Sequence, residues 1–183
     1  MNQQISGGFS DAPRQSATAF RAILEAMSRP GQWQEVQGAM PPAPLSPAAG
    51  AAILTLADHN TPLHLAGALD CPEVRYWITF HTAAPITSAT EASFAIGTWQ
   101  DLQPLDQFAI GTPEYPDRSA TLIVTLDEVP APNATLSGPG INGSVEAFCP
   151  GARPTAFPLG LDLILATQSR IMGLPRSTKV EFL

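Results

Sequence analysis

The sequence predicts a single α/β domain over residues 1–183: a mixed β-sheet flanked by helices and closed by a C-terminal β-hairpin. Three observations carry that expectation. In the first half, apolar residues recur at helical spacing in successive segments. From Ala84 onward the pattern shortens to brief apolar runs bounded by Gly and Pro, the signature of strands. The two kinds of element interleave, which puts helices on a sheet rather than in a bundle of their own. A chain of 183 residues with 44% hydrophobic content can build one core of that kind.

The first ten residues are polar and are expected to be flexible. A helix then starts at Asp11 or Ala12 and runs to Ser28, because Phe20, Ile23, Leu24 and Met27 form one apolar stripe. Ser10 or Asp11 can cap it, and Arg29-Pro30-Gly31 stops it. The Pro-, Gly- and Gln-rich stretch to Ser46 reads as an exposed connection. Ser46-Pro47 opens a second helix, with serine as cap and proline in the first turn. Its body, AAGAAILTLAD, is small and apolar on most sides, which demands deep burial. Residues 60–65, with Pro62, read as a turn into a short strand. Asp70 is expected to cap a third helix, from Cys71 to about Thr82, with Val74, Trp77, Ile78 and His81 on one face.

Strands are predicted at 85–87, 94–96, 121–126 and 135–137, with a short helix at 101–108 among them. Residues 161–166 and 170–174 flank a turn at Thr167-Gln168-Ser169 and form the closing hairpin.

Charge narrows the function. The formal net charge is −7, and among nine Lys and Arg residues only Lys179 is a lysine. Binding a nucleic-acid backbone takes clustered cations, and none are clustered here, so nucleic acid is not an expected partner. Charged residues make up 14% of the chain, against about 25% in an ordinary soluble domain. Thin charge of this kind suggests that a partner covers some of the surface. Cys71 and Cys149 stand far apart and in no metal-binding spacing, so no metal is expected and both should be reduced thiols. The opening MNQQISGGFSDAP has neither a basic stretch nor an apolar one, and no apolar run approaches a membrane span. A cytoplasmic location follows as the expectation.

No catalytic set is legible. His59, His64 and His81 fit no helical zinc pattern, and there is no G-x-S-x-G elbow. Ser137-Gly138-Pro139-Gly140 reads as a sheet-terminating turn, since the proline removes a donor that a phosphate cradle would use. A pyridoxal phosphate enzyme needs a Schiff-base lysine, and Lys179, in an expected surface strand, is poorly placed to serve; no cofactor is expected. Anion binding is the chemistry that remains. Arg118-Ser119 precedes the 121–126 strand, and Arg176-Ser177-Thr178 follows the hairpin. Guanidinium with hydroxyls suits a phosphate or phosphonate, although for each arginine taken separately a surface ion pair is the stronger reading. Arg118, Ser119, Arg176, Ser177, Thr178 and His81 are therefore the candidate ligand residues, with a backbone-bonded structural role as the competing reading of His81.

Five blocks of the chain, in order, resemble the PhnH family. They are Phe20-Arg21 through Ala26-Met27-Ser28 with Pro30-Gly31; Thr55-Leu56-Ala57-Asp58 with Thr61-Pro62; and Phe80-His81-Thr82 with Ala84-Pro85. Gly111-Thr112, Pro116 and Ser119-Ala120-Thr121-Leu122-Ile123 make the fourth. Phe157-Pro158-Leu159-Gly160 with Asp162-Leu163-Ile164, then Pro175-Arg176-Ser177-Thr178, complete the set. Residues 32–45 and 142–155 match less well and read as variable loops. The resemblance implies a mixed α/β domain that forms homodimers and joins PhnG, PhnI and PhnJ in a carbon–phosphorus lyase core complex. That complex processes phosphonates through a ribose-triphosphate intermediate, with the radical and iron–sulfur chemistry residing in PhnJ. It further implies a fold similar to pyridoxal-phosphate transferases without the cofactor. The expected role is a non-catalytic scaffold and interaction subunit. The alternative is an accessory subunit that binds a phosphonate or phosphorylated ribose through an arginine-lined site.

Overall fold

The structure, a computed structural model, describes residues 6–183. Helix α1 spans Ala12–Ser28, as its periodicity requires. Its start is secured differently from the expectation. Asp11 stands at the N-cap but its carboxylate makes no capping bond. The Gln15 side-chain oxygen instead accepts from the Asp11 N–H at 2.8 Å and from the Ser10 hydroxyl at 3.2 Å. Helix α2, Pro47–Leu56, is capped as expected: Ser46 Oγ accepts the Ala49 N–H at 3.3 Å. Residues 48–53 are all buried, because a helix apolar on every side must be covered on every side.

Helix α3 runs Pro72–Thr82 with Cys71, not Asp70, at its N-cap. The Asp70 carboxylate pairs with the Arg75 guanidinium, a charge-assisted bond that outcompetes a backbone N–H. Of the leader expected to be flexible, residues 1–5 lie outside the described residues. The Ser6 carbonyl accepts from Trp77 Nε1 at 3.0 Å, and the Gly7 carbonyl accepts the Met40 N–H at 2.7 Å.

The helices lie on one face of a six-stranded sheet. Its strands are β1 (Gln34–Glu35), β2 (Leu63–Leu65), β3 (Phe94–Gly97), β4 (Thr121–Thr125), β9 (Asp162–Ala166) and β10 (Arg170–Leu174), in the order β1-β10-β9-β4-β3-β2. Strands β2, β3, β4 and β9 are parallel, and β10 and β1 are antiparallel additions. Parallel strands need cover on both faces, and the side chains divide accordingly. Ile96, Ile123, Ile164 and Ile171 meet Ile23, Ala26, Ile53 and Trp77 on the helical side. Ala95, Leu122, Val124, Leu163, Leu165 and Met172 point the opposite way. Gly173 in β10 lets α1 settle close, since a Cβ there would come within 2.6 Å of the Ala26 carbonyl oxygen.

The second face is covered by a small antiparallel sheet, β11-β5-β6, made of β5 (Ala134–Ser137), β6 (Ser144–Ala147) and β11 (Lys179–Phe182). The chain leaves the closing hairpin β9–β10 and crosses to this layer, where β11 pairs with β5. Gly140 turns the chain between β5 and β6 with φ of 81°, and a Cβ there would sit 2.0 Å from the Ser28 carbonyl oxygen. A short ribbon, β7 (Thr155–Ala156) with β8 (Leu159–Gly160), lies before β9.

Three expectations for the second half of the chain are corrected. The 85–87 strand is a single bridge, Ile86 to Leu63. The 101–108 helix reduces to one tight turn, Leu105–Gln107, because Pro104 cannot continue an α-helix. Strand β6 falls within 142–155, a stretch expected to be a variable loop because it carries the resemblance less well. Among the described residues no helix is long and apolar enough to cross a membrane.

Candidate functional site

The turn after β10, strand β11 and the segments on either side of β7 line an open cavity of about 530 Å³. Arg153, Phe157, Arg176, Ser177, Thr178 and Phe182 line it. The sequence-predicted trio Arg176, Ser177 and Thr178 is thus assembled at one place, by the turn that carries the chain from β10 to β11.

Arg176 serves the fold there. Its Nε donates to both carboxylate oxygens of Asp162, at 3.2 and 3.1 Å, and Nη2 binds the same group. The Arg176 N–H adds a bond to Asp162 Oδ1 at 2.7 Å, and Nη1 donates to the Pro116 carbonyl at 2.6 Å. One guanidinium therefore ties the start of β9, the end of β10 and the turn ahead of β4. The side chains of the pair are 15% and 17% exposed, so a charge left without its partner here would be costly. Asp162 neutralises Arg176, and the anion attraction of the cavity must come from elsewhere.

Arg153 supplies it. Its Nη1 and Nη2 donate to the carbonyls of Leu174 and Pro175, each at 2.6 Å. Its Nε is buried and has no hydrogen-bond partner among the described residues. No carboxylate pairs with it there. Burial pushes the Arg153 guanidinium below its ordinary pKa; Cys149 and Asp162 pull it up, and Arg176 pushes it down. An arginine nevertheless keeps its charge. Two guanidinium groups and the Lys179 ammonium thus stand against the single carboxylate of Asp162, leaving a local positive excess in a chain of net charge −7. Thr178, 4% exposed, adds a buried hydroxyl without a partner.

Arg153 lies in the stretch set aside as variable. One signal could have found it: between Glu146 and Asp162 it is the sole charged residue, so no neighbour in sequence can neutralise it.

Arg118 and Ser119 open elsewhere. Arg118 is exposed and places its guanidinium carbon 3.9 Å from the Tyr115 ring centroid, a cation–π contact. Their recess is also lined by Glu91 and Asp117, so its charges are mixed. Ser119 is buried with its hydroxyl unpartnered. The Arg176 bond to Pro116 links the two arginine segments through backbone without merging their recesses. His81 belongs to the helical side. Its ring packs against Trp77, at 4.9 Å between centroids, and Phe80, at 5.1 Å. Gly8 lies directly on it, since a Cβ there would meet the ring at 2.5 Å. Among the described residues no cluster of three or more His, Cys, Asp or Glu is arranged to hold a metal ion.

Residues 7–181 match the family model described as bacterial phosphonate metabolism protein (PhnH). The chain is 38% identical to the alpha-D-ribose 1-methylphosphonate 5-triphosphate synthase subunit PhnH of Rhizobium meliloti (strain 1021), over 98% of this chain and 97% of that one. It is 29% identical to the putative C-P lyase subunit protein HtxG of Stutzerimonas stutzeri, over 92% of this chain and 87% of the other.

Proposed function

This chain belongs to the PhnH family of bacterial phosphonate metabolism proteins, and from that premise we propose that it is an interaction subunit of a carbon–phosphorus lyase assembly. The observation that carries this reading is an apolar stripe that the fold does not bury. Phe20, Ile23, Leu24 and Met27 share one periodic pattern, yet only Ile23 is buried, while Phe20 is 51% and Leu24 57% exposed. Helix α3 repeats the arrangement, with Tyr76 and Phe80 both about half exposed and their rings stacked 6.3 Å apart. Covering a large apolar side chain contributes about 1.5–3 kcal/mol. Paired exposure of this kind on two helices supports a reading in which a partner covers this surface.

A homodimer, and contacts with PhnG, PhnI and PhnJ, both require such surfaces, and the low charge content of the chain is consistent with them. The R. meliloti relative is named as a subunit of a synthase of alpha-D-ribose 1-methylphosphonate 5-triphosphate; this chain takes the same place in phosphonate breakdown and contributes surface rather than catalytic groups. Co-expression with PhnG, PhnI and PhnJ, followed by affinity capture of this chain, tests the reading. Recovery of a stoichiometric assembly is expected, together with no phosphonate turnover by the pure chain. Turnover by the isolated chain, or failure to capture any of the three subunits, would overturn it.

A further inference from the structure

We infer that the cavity over Arg153 is a binding site for a phosphorylated small molecule that also presents a flat ring, a nucleotide in chemical class. This goes beyond the interaction role, which uses the helical face and does not need the cavity to be filled.

The anionic half of the ligand is set by the floor. Arg153 holds two backbone carbonyls with one N–H from each terminal nitrogen, which leaves further N–H donors and an uncompensated charge. Its Nε and the Thr178 hydroxyl are both buried without acceptors. A buried donor without a partner is costly, and an acceptor delivered by a ligand recovers that cost. These two atoms lie at the cavity lining, beside the terminal nitrogens of Arg153 that carry its remaining N–H donors. Several donors around one locus fit a tetrahedral phosphate, which offers several oxygens, better than a single carboxylate. The carboxylate already present, on Asp162, is consumed by Arg176.

The ring half is set by the walls. Phe157 is 72% exposed and Phe182 51% exposed, and both line the cavity with Val180 and Pro139. Aromatic faces open to water beside a cationic floor are a stacking platform for a planar ring, and such stacking is tolerant of which base is presented. At about 530 Å³ the space falls within the usual range for small-molecule sites.

Calorimetry on the full chain with ADP, ribose 5-phosphate and pyrophosphate tests the assignment. ADP is expected to bind at least tenfold more tightly than either of the others. Arg153→Met should weaken ADP tenfold or more. Phe157→Ser with Phe182→Ser should weaken ADP severalfold while leaving pyrophosphate unchanged. Should Arg153→Met fail to fold, as judged by circular dichroism, the phenylalanine pair decides alone. No binding of ADP at millimolar concentration would overturn the inference, as would equal affinity for ADP and pyrophosphate. It would also fall if Arg118→Ala abolished binding while Arg153→Met, or the phenylalanine pair, retained it.

Discussion

The two faces of the main sheet are covered by unlike layers, and they leave unlike things exposed. On one face, α1, α2 and α3 bury a continuous isoleucine- and alanine-rich core, and what remains outside includes four large apolar side chains, Phe20, Leu24, Tyr76 and Phe80, among charged ones such as Arg21 and Arg75. On the other, β5, β6, β11 and the connecting turns seal a second core, and what remains is a recess with a cationic floor and phenylalanine walls. A protruding apolar stripe suits another protein surface, which can lie flat against it. A concave, charged recess suits a small molecule, which it can surround. On the reading proposed here, one fold separates a surface for assembly from a place for a ligand, with the sheet between them.

The sharpest way to break this contrast is at the clasp that holds the recess together. Asp162→Ala strands the Arg176 charge in a place where both side chains are mostly buried. It should cost about 3–5 kcal/mol, read as a lowered urea midpoint. Replacing both residues, Asp162→Leu with Arg176→Met, should recover much of that loss, because the uncompensated charge is then gone. If the single and double variants proved equally unstable, the clasp would not be the ion pair.

Next in size are the two cores themselves. Leu163→Ala on the small-sheet side and Ile164→Ala on the helical side remove neighbouring, fully packed residues of β9. Each should cost about 2–5 kcal/mol by chemical denaturation. A loss confined to one of them would mean that only one layer is tightly packed.

The helical stripe should behave in the opposite manner. Phe20→Ser with Leu24→Ser, or Tyr76→Ser with Phe80→Ser, should shift stability by about 0.5 kcal/mol or less per site. Light scattering on the two pairs shows which of them carries self-association. A pair that dissociates a dimer without a change in the melting curve identifies the contact. Of similar size is Arg118→Ala, which removes an exposed cation–π contact of about 0.5 kcal/mol and should leave assembly intact.

The two cysteines offer a reactivity version of the same contrast. Cys149 is buried in the small-sheet core and its Sγ–H faces the Gly151 carbonyl at 3.4 Å. Burial pushes its thiol pKa up, so the reactive thiolate is scarce near neutral pH. Cys71, half-buried at the start of α3, should be labelled by a thiol reagent first, and comparable rates would argue against a closed small-sheet core.

The helical face was largely legible in the sequence, because helices announce themselves through local periodicity. The bounds of α1 and the Ser46 cap of α2 follow from residues a few positions apart. The sequence did not reveal that the α1 stripe is too wide for the fold to bury, since periodicity locates an apolar face without saying what covers it. The small-sheet face was far less legible. Strand β6, SVEA, is short and half polar, and its partner β5 is itself short. The cavity depends on contacts across many positions: Arg153 reaches Leu174, and Arg176 reaches back to Pro116. Arg176, Ser177 and Thr178 could be marked as a cationic, hydroxyl-rich turn, yet their chemistry turns on Asp162 and Arg153, which nothing in the local pattern associates with them. His81, grouped with these residues by type, sits under Gly8 on the other layer.

The central claim, that this chain acts by presenting its helical face to other subunits, is tested most directly by capturing PhnG, PhnI and PhnJ with a variant carrying Phe20→Ser, Leu24→Ser, Tyr76→Ser and Phe80→Ser. The account predicts a chain that melts close to the unaltered one and recovers at least tenfold less of one or more of these partners. A folded variant that captures all three as well as the unaltered chain would contradict it.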